Sequence, residues 1–401
     1  MRRRTFLKAS LAAPTLISLE LDDIRDVSSF PNTHAAFEIP KSLFGRRVNR
    51  AQDLMAQLHF DLLVATPGTN FQYFVGYNPG RSERLIALLI PREGNPVIIC
   101  PSFERERIVR RSIVSQIDTW EEHESPFKLT ARVAERLKVS GGTLGIEPTT
   151  NYIDVLRLKN EMSRAEVRDG SPVFDELRMV KSPEELDAIR KAIDITLASI
   201  GATHQQLKEG MTEQEVAGLL SREMSTRGSR GGGLVQFGPS SALPHGGPTG
   251  VKLTKGKVVL IDAGCSVDGY DSDITRTILW GADVTPKYRE VYNTVFEAQQ
   301  SAAAAAKPGV ECQELDRTAR KVIEKAGYGK YFTHRLGHGL GMDGHEYPYL
   351  VEGNSYKLKP GNVVTIEPGI YMPGEFGVRI EDDFVITESG VEQISAKVNK
   401  V

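Results

Sequence analysis

Four acids stand at matching places in a sequence that repeats itself. Asp262 follows the apolar run 258–261, and Glu367 follows the apolar run 363–366. Asp273 lies four residues after Gly269, and Glu381 lies four residues after Gly377. A lone Asp or Glu after an apolar strand is ordinarily a turn residue. Glu381-Asp382-Asp383 on its own reads as a solvated charge run. Duplication changes this reading, because an ordinary turn need not place an acid at the same position in both halves. Four carboxylates converging in a partly buried site cannot all ionise unaided. Like charges raise one another's pKa, and burial adds a desolvation cost. A pair of divalent cations offsets both.

The Gly-rich segment 334–341, with His334 and His338, offers a nitrogen ligand between the last repeat helix and the Glu367 strand. One imidazole with four carboxylates is an oxygen-rich set. It suits manganese, with cobalt, zinc or iron as alternatives. Two such ions about 3.5–4 Å apart can share a bridging hydroxide as nucleophile and polarise a carbonyl. The spacing of His334 and His338 superficially matches the helical H-E-x-x-H zinc motif. Arg335 follows the first His, however, and Gly337, Gly339 and Gly341 disfavour a helix. In an extended strand the same spacing also puts both rings on one face. His345 and His245, taken alone, read as surface or satisfied core histidines.

The repeated unit that must position these groups is helix–helix–sheet. Ser182-Pro183-Glu184-Glu185 forms a capping box with proline at the first helical position, and the helix runs to about Leu207. A second helix opens at Thr212, again with a capping box. Strand-like runs follow at 258–261 and 274–279. Helices at 287–306 and 313–326 and strands at 363–366 and 383–386 repeat the order. Lys208, Gly210 and Met211 match Lys307, Gly309 and Val310, and residues 253–264 match 358–369. Two halves of this kind pack around a pseudo-two-fold axis. Before them, residues 44–169 alternate strands (62–65, 85–90, 97–100, 143–146) with helices (103–111, 127–138, 152–158). That alternation indicates an α/β layer domain. A boundary falls near Val180. The resulting division is 1–35, 36–175 and 176–401.

Composition narrows the class. The chain has 401 residues, 40% hydrophobic and 25% charged, with a formal net charge of -2. No basic excess points to nucleic acid. Cys100, Cys265 and Cys312 are scattered, against a disulfide framework or a thiolate zinc site. No apolar run beyond the first twenty residues is long enough for a stable membrane span. At the N-terminus, Arg2, Arg3, Arg4, Thr5, Phe6, Leu7 and Lys8 precede a mildly apolar stretch at 9–19. Paired arginines followed by Phe-Leu-Lys match a twin-arginine export signal, giving a periplasmic or extracytoplasmic expectation. The alternative is a basic tail on a cytoplasmic protein, since the apolar run is short and no clear cleavage site follows.

Asp262-Ala263-Gly264, Gly269 to Thr277, His334-x-x-Gly-His338-Gly-Leu-Gly-Met-Asp-Gly-His345-Glu, Glu367-Pro368-Gly369-Ile370-Tyr371 and Arg379-Ile380-Glu381-Asp382 together resemble the pita-bread metallopeptidases. Within them the chain is most similar to the prolidase / aminopeptidase P branch, from about Phe44 to the C-terminus. The resemblance implies an α/β creatinase-like N-terminal domain followed by an α+β pita-bread catalytic domain with internal pseudo-two-fold duplication. It implies Asp262, Asp273, His338, Glu367 and Glu381 as ligands of two divalent ions, with Asp273 and Glu381 bridging. Glu367 doubles as proton acceptor. His334, His345 and His245 hold substrate and steady the tetrahedral intermediate, and Tyr371 and Arg379 support the site. The implied activity is hydrolysis of an N-terminal Xaa-Pro bond, as an Xaa-Pro aminopeptidase or dipeptidase (prolidase), by a homodimer acting on proline-containing peptides. One alternative is a same-fold hydrolase or lyase for a small non-peptide substrate. A non-catalytic binding module is disfavoured by the intact ligand set. Creatinases lack that set, and methionine aminopeptidases lack so large an N-terminal domain.

Overall fold

The computed structural model describes residues 39–247 and 249–401. The expected export segment lies outside the described residues. The N-terminal domain opens with α1 (Lys41–Leu58), which buries Leu43, Phe44, Arg47, Ala51 and Met55 along one helical stripe. There follow β1 (Leu62–Ala65), α2 (Thr69–Val75), β2 (Ala87–Pro91), β3 (Val97–Pro101), α3 (Arg105–Arg111), β4 (Gln116–Trp120), α4 (Pro126–Arg136), β5 (Thr143–Ile146), α5 (Tyr152–Glu161), β6 (Glu166–Asp169) and α6 (Ser171–Met179).

The six strands form one mixed sheet in the order β4-β3-β2-β1-β5-β6. β1, β2 and β3 are buried throughout, as continuous apolar runs covered on both faces must be. Alternate residues feed two cores, Leu63, Leu88 and Ile98 on one face and Leu62, Val64, Leu89 and Ile99 on the other. The helix expected over 103–111 is split. A 3-10 turn at Ser102–Glu104 precedes α3.

α6 carries Val173, Phe174 and Leu177 into the N-terminal core. The sequence division at 175/176 therefore falls inside this helix, and the junction is Val180–Ser182. The apolar 173, 174 and 177 at helical spacing carry the helix past the division. There the chain is tied into the second half of the molecule. Lys181 N–H donates to Gly361 O (2.9 Å), and Asn362 Nδ2 donates to Met179 O (2.9 Å).

The C-terminal domain comprises α7 (Pro183–Gln205), α8 (Glu213–Thr226), β7 (Arg230–Phe237), β8 (Val258–Val267), β9 (Tyr270–Asp271), β10 (Ile274–Leu279), α9 (Pro286–Ala305), α10 (Cys312–Lys325), β11 (Gly337–Gly339), β12 (Glu346–Leu350), β13 (Val363–Ile366), β14 (Gly369–Met372), β15 (Phe376–Arg379), β16 (Asp382–Ile386) and β17 (Val391–Gln393). Both expected capping boxes form, at Ser182/Glu185 and Thr212/Glu215. One sheet runs β10-β8-β7, with β9 beside β8. A second runs β12-β11-β13-β16-β17, and β14 pairs β15.

The duplication is visible bond by bond. Gly210 N–H donates to Leu253 O and Leu253 N–H to Met211 O; Gly309 N–H donates to Leu358 O and Leu358 N–H to Val310 O. Isolated bridges join Thr212 to Lys252 in one half and Glu311 to Lys357 in the other. Gly256 (φ 81°) and Gly361 (φ 88°) turn the chain into β8 and β13, a left-handed conformation that glycine adopts without strain. The sheets meet where β10 runs beside residues 379–381. Glu381 N–H donates to Thr275 O (3.3 Å), and Thr277 Oγ1 donates to Arg379 O (2.8 Å). No described helix is long and apolar enough to cross a membrane.

Candidate active site

The four acids converge at that seam. Asp262 lies within β8 rather than at its end, paired across the sheet with Thr275 of β10 and Leu234 of β7. Asp273 sits in the turn between β9 and β10. Glu367 follows β13, and Glu381 lies between β15 and β16. Glu381 Oε2 accepts from Thr275 Oγ1 (2.6 Å), and Thr275 Oγ1 also accepts from Arg379 Nε (3.0 Å). The run 381–383 is buried, not solvated. Asp382 is held by Arg276 (2.7 Å), and Asp383 accepts from the Asp273 N–H (3.2 Å).

His338, in β11, donates Nδ1–H to the Gly339 carbonyl (3.0 Å), because a carbonyl oxygen can only accept. Its Nε2 lone pair is then free toward the acids, 3.4 Å from Glu367 Oε1 and 3.7 Å from Asp273 Oδ2. This is how a metal-ligating imidazole has its tautomer fixed. His345 reaches the same cluster. Donor atoms of Asp273, His338 and His345 lie within 4.8 Å of one another, as do those of His338, Glu367 and Glu381, and of Asp262, Asp273 and Glu381.

His334 has both ring nitrogens engaged. Nδ1–H donates to Arg335 O (2.7 Å), so Nε2 accepts from the Tyr371 hydroxyl (2.8 Å). The Tyr371 oxygen accepts from Arg379 Nη1 (2.9 Å), and Arg379 Nη2 donates to Asp262 Oδ2 (2.5 Å). A continuous polar chain thus links His334 to Asp262. His245 lines the same cleft, from the loop after the 3-10 turn Gly238–Ala242. All ten residues singled out in the sequence belong to one site: nine line the cleft of ≈ 470 Å³, and Tyr371 lies behind its wall, bonded to His334 and Arg379.

Arg335 also lines that cleft. It donates to His345 Nδ1 (3.2 Å) and lies 4.6 Å over the Tyr349 ring. In the sequence Arg335 does no more than separate this segment from a zinc motif. Its place directly after His334 was the one available signal.

The donor set fits divalent cations. Burial, then Glu381, pushes the Asp273 and Glu367 carboxyls well above the usual carboxylate range. Burial and Asp262 push Glu381 up to about 8. Burial, reinforced by His345, depresses His338 to about 3, keeping it neutral. Acids that resist ionisation and an imidazole that resists protonation gain their ligating forms together when cations supply the missing positive charge.

Relatives share this architecture. Residues 187–388 match the model of "Metallopeptidase family M24", and residues 47–180 match that of the "Creatinase/Prolidase N-terminal domain". An uncharacterized peptidase of Staphylococcus aureus is 37% identical over 355 residues, covering 87% of this chain and 98% of that protein. The crystal structure of dipeptidase PepE from Mycobacterium ulcerans superposes with a TM-score of 0.85 at 33% identity, covering 91% of this chain and 98% of the other. That of a prolidase from Thermococcus sibiricus superposes with a TM-score of 0.81 at 34% identity, covering 89% and 98%. The chain belongs to metallopeptidase family M24 and carries a creatinase-type N-terminal domain. It is a metallopeptidase on the pita-bread fold, in the prolidase branch.

Proposed function

We propose that this metallopeptidase hydrolyses the N-terminal Xaa-Pro bond of short peptides with two divalent cations, manganese first among the candidates. The observation that carries this reading is the overlap of the donor sets. Glu381 is common to the Asp262/Asp273 group and the His338/Glu367 group, as a bridging carboxylate must be. Asp262, Asp273, His338, Glu367 and Glu381 would hold the cations. When bound, these supply a water of lowered pKa and polarise the scissile carbonyl.

The chain's own groups do the rest. Glu367 takes the proton from the attacking water. His345, whose Nδ1 accepts from Arg335, carries its proton on Nε2 and can donate to the developing oxyanion. Arg379, fixed by Tyr371, holds Asp262 in one orientation. Proline offers no N–H and a fixed φ, so a site that cleaves before it must act through the carbonyl and the free amine.

Dipeptides are the first choice of substrate, in keeping with the names dipeptidase and prolidase borne by the similar structures. The test compares kcat/KM for Ala-Pro and Ala-Pro-Ala with Ala-Ala and Ala-Ala-Ala on the metal-loaded enzyme. The proline peptides are expected to lead, Ala-Pro first. Equal rates on the alanine peptides would make it a general aminopeptidase. Hydrolysis of none would favour a non-peptide substrate. Export and a homodimeric state belong to the same proposal. Replacing Arg3 and Arg4 by Lys should retain the protein in the cytoplasm, and unchanged fractionation would reduce the segment to a basic tail.

A further inference from the structure

We propose that Arg178, at the end of the N-terminal domain, and Lys181, in the junction that follows it, are positioning residues that set the placement of His345 across the domain boundary. The proposal rests on the catalytic reading of His345 given above. His345 sits in the irregular segment between β11 and β12, among Gly341, Asp343 and Gly344. Arg335 donates to its ring, and the ring centroid lies 3.9 Å from that of His338. Neither contact fixes how far the backbone of 343–346 projects into the cleft.

Two acids that flank His345 do so. Asp343 Oδ2 accepts from Arg178 Nη2 (2.6 Å), and its Oδ1 accepts from Thr69 Oγ1 at the start of α2 (2.6 Å). Glu346 Oε1 accepts from Lys181 Nζ (2.6 Å), and its Oε2 pairs with the same Arg178 Nη2. Asn70 orients the guanidinium from behind, accepting from Arg178 Nη1 (3.3 Å). One arginine thus joins both acids, and each acid has a second donor of its own.

All of the cluster's charged side chains but Asp343, which is 44% exposed, lie out of water. The side chains of Lys181, Glu346 and Arg178 are 2%, 7% and 10% exposed. Buried ion pairs are poor stabilisers compared with apolar packing, because desolvation offsets most of the attraction. What they supply is direction: a carboxylate seated between two fixed cations has one location. Glu346 also packs so closely on Gly341 that a Cβ there would collide with its carboxylate. The segment is therefore gripped on both sides of His345. All three donors, Thr69, Arg178 and Lys181, come from outside the catalytic domain's own sheets.

The test is a double-mutant cycle on the full-length, metal-loaded enzyme with Ala-Pro. Arg178→Gln should lower kcat about 10- to 100-fold with KM little changed, the penalty of a catalytic group displaced by about an ångström. Arg178→Lys should recover part of the loss. Thr69→Val, which removes no charge and should fold without difficulty, should cost about two- to fivefold. In a His345→Ala background, Arg178→Gln should cost less than about twofold, because coupled residues are non-additive. A second readout needs no turnover. The protein has 8 histidines, and the His345 ring resonance can be assigned by its loss in His345→Ala. It should shift in Arg178→Gln and in Thr69→Val. Losses that multiply in the double mutant, or an unmoved His345 resonance, would overturn the proposal. If the wild-type enzyme leaves Ala-Pro intact, the peptidase reading fails while the resonance still decides the positioning claim.

Discussion

Glu367→Gln is expected to lower kcat/KM on Ala-Pro by more than about 10⁴-fold while the fold is retained. Losses of this size follow when one member of a catalytic unit is removed. Gln preserves the volume of the side chain and one acceptor oxygen. It cannot take a proton from water, and it removes a negative charge from the donor set. Glu367 lies 3.4 Å from His338 Nε2 at the end of β13, where no nearby acid can substitute. Asp273 and Glu381, the nearest alternatives, are the acids shared between donor groups. Circular dichroism should stay close to wild type, since the substitution creates no cavity. A variant retaining a tenth of wild-type activity would remove Glu367 from its role as proton acceptor.

Stripping the metal is expected to abolish activity, and readdition of manganese or cobalt to restore it. The metal-free protein should also be less stable, and more so as pH rises. Glu381 is raised from 4.5 to about 8, and Asp273 and Glu367 are raised as well, by burial and mutual repulsion. A carboxyl whose native pKa is raised binds its proton more tightly folded than unfolded. Its contribution to stability is full below the unfolded value near 4.5 and is lost as pH climbs through about 8. The Tm of the apoprotein should therefore fall between about pH 5 and pH 8. Saturating cation should lift it and flatten the pH dependence, because a ligand at 100 times its Kd adds about 2.7 kcal/mol per site. A pH-independent apoprotein Tm, or one unmoved by manganese, would contradict this electrostatic reading.

The parts of the fold written in local patterns were legible. The capping boxes at Ser182 and Thr212, and the strands at 143–146, 274–279 and 363–366, form where their residue types place them. The internal repeat was legible too, and with it the pairing of the acids. β7 was not, because Gly231, Gly232 and Gly233 erase the alternation that marks a strand. Glycine is used there because a Cβ on Gly233 would collide with the Asp262 carbonyl and one on Gly231 with Cys265. The polar chain from His334 through Tyr371 and Arg379 to Asp262 spans four separate segments. The grip of Arg178 on Glu346 joins residues 168 apart. Neither carries a local signature, since each exists only once distant elements have packed.

The most direct measurement is anomalous diffraction at the manganese absorption edge, on crystals of the protein grown with manganese. Two peaks are expected. One should lie among the carboxylates of Asp262, Asp273 and Glu381, the other among His338, Glu367 and Glu381, about 3.5–4 Å apart. A single peak, peaks away from these five side chains, or none in a preparation that hydrolyses Ala-Pro would contradict the two-cation site.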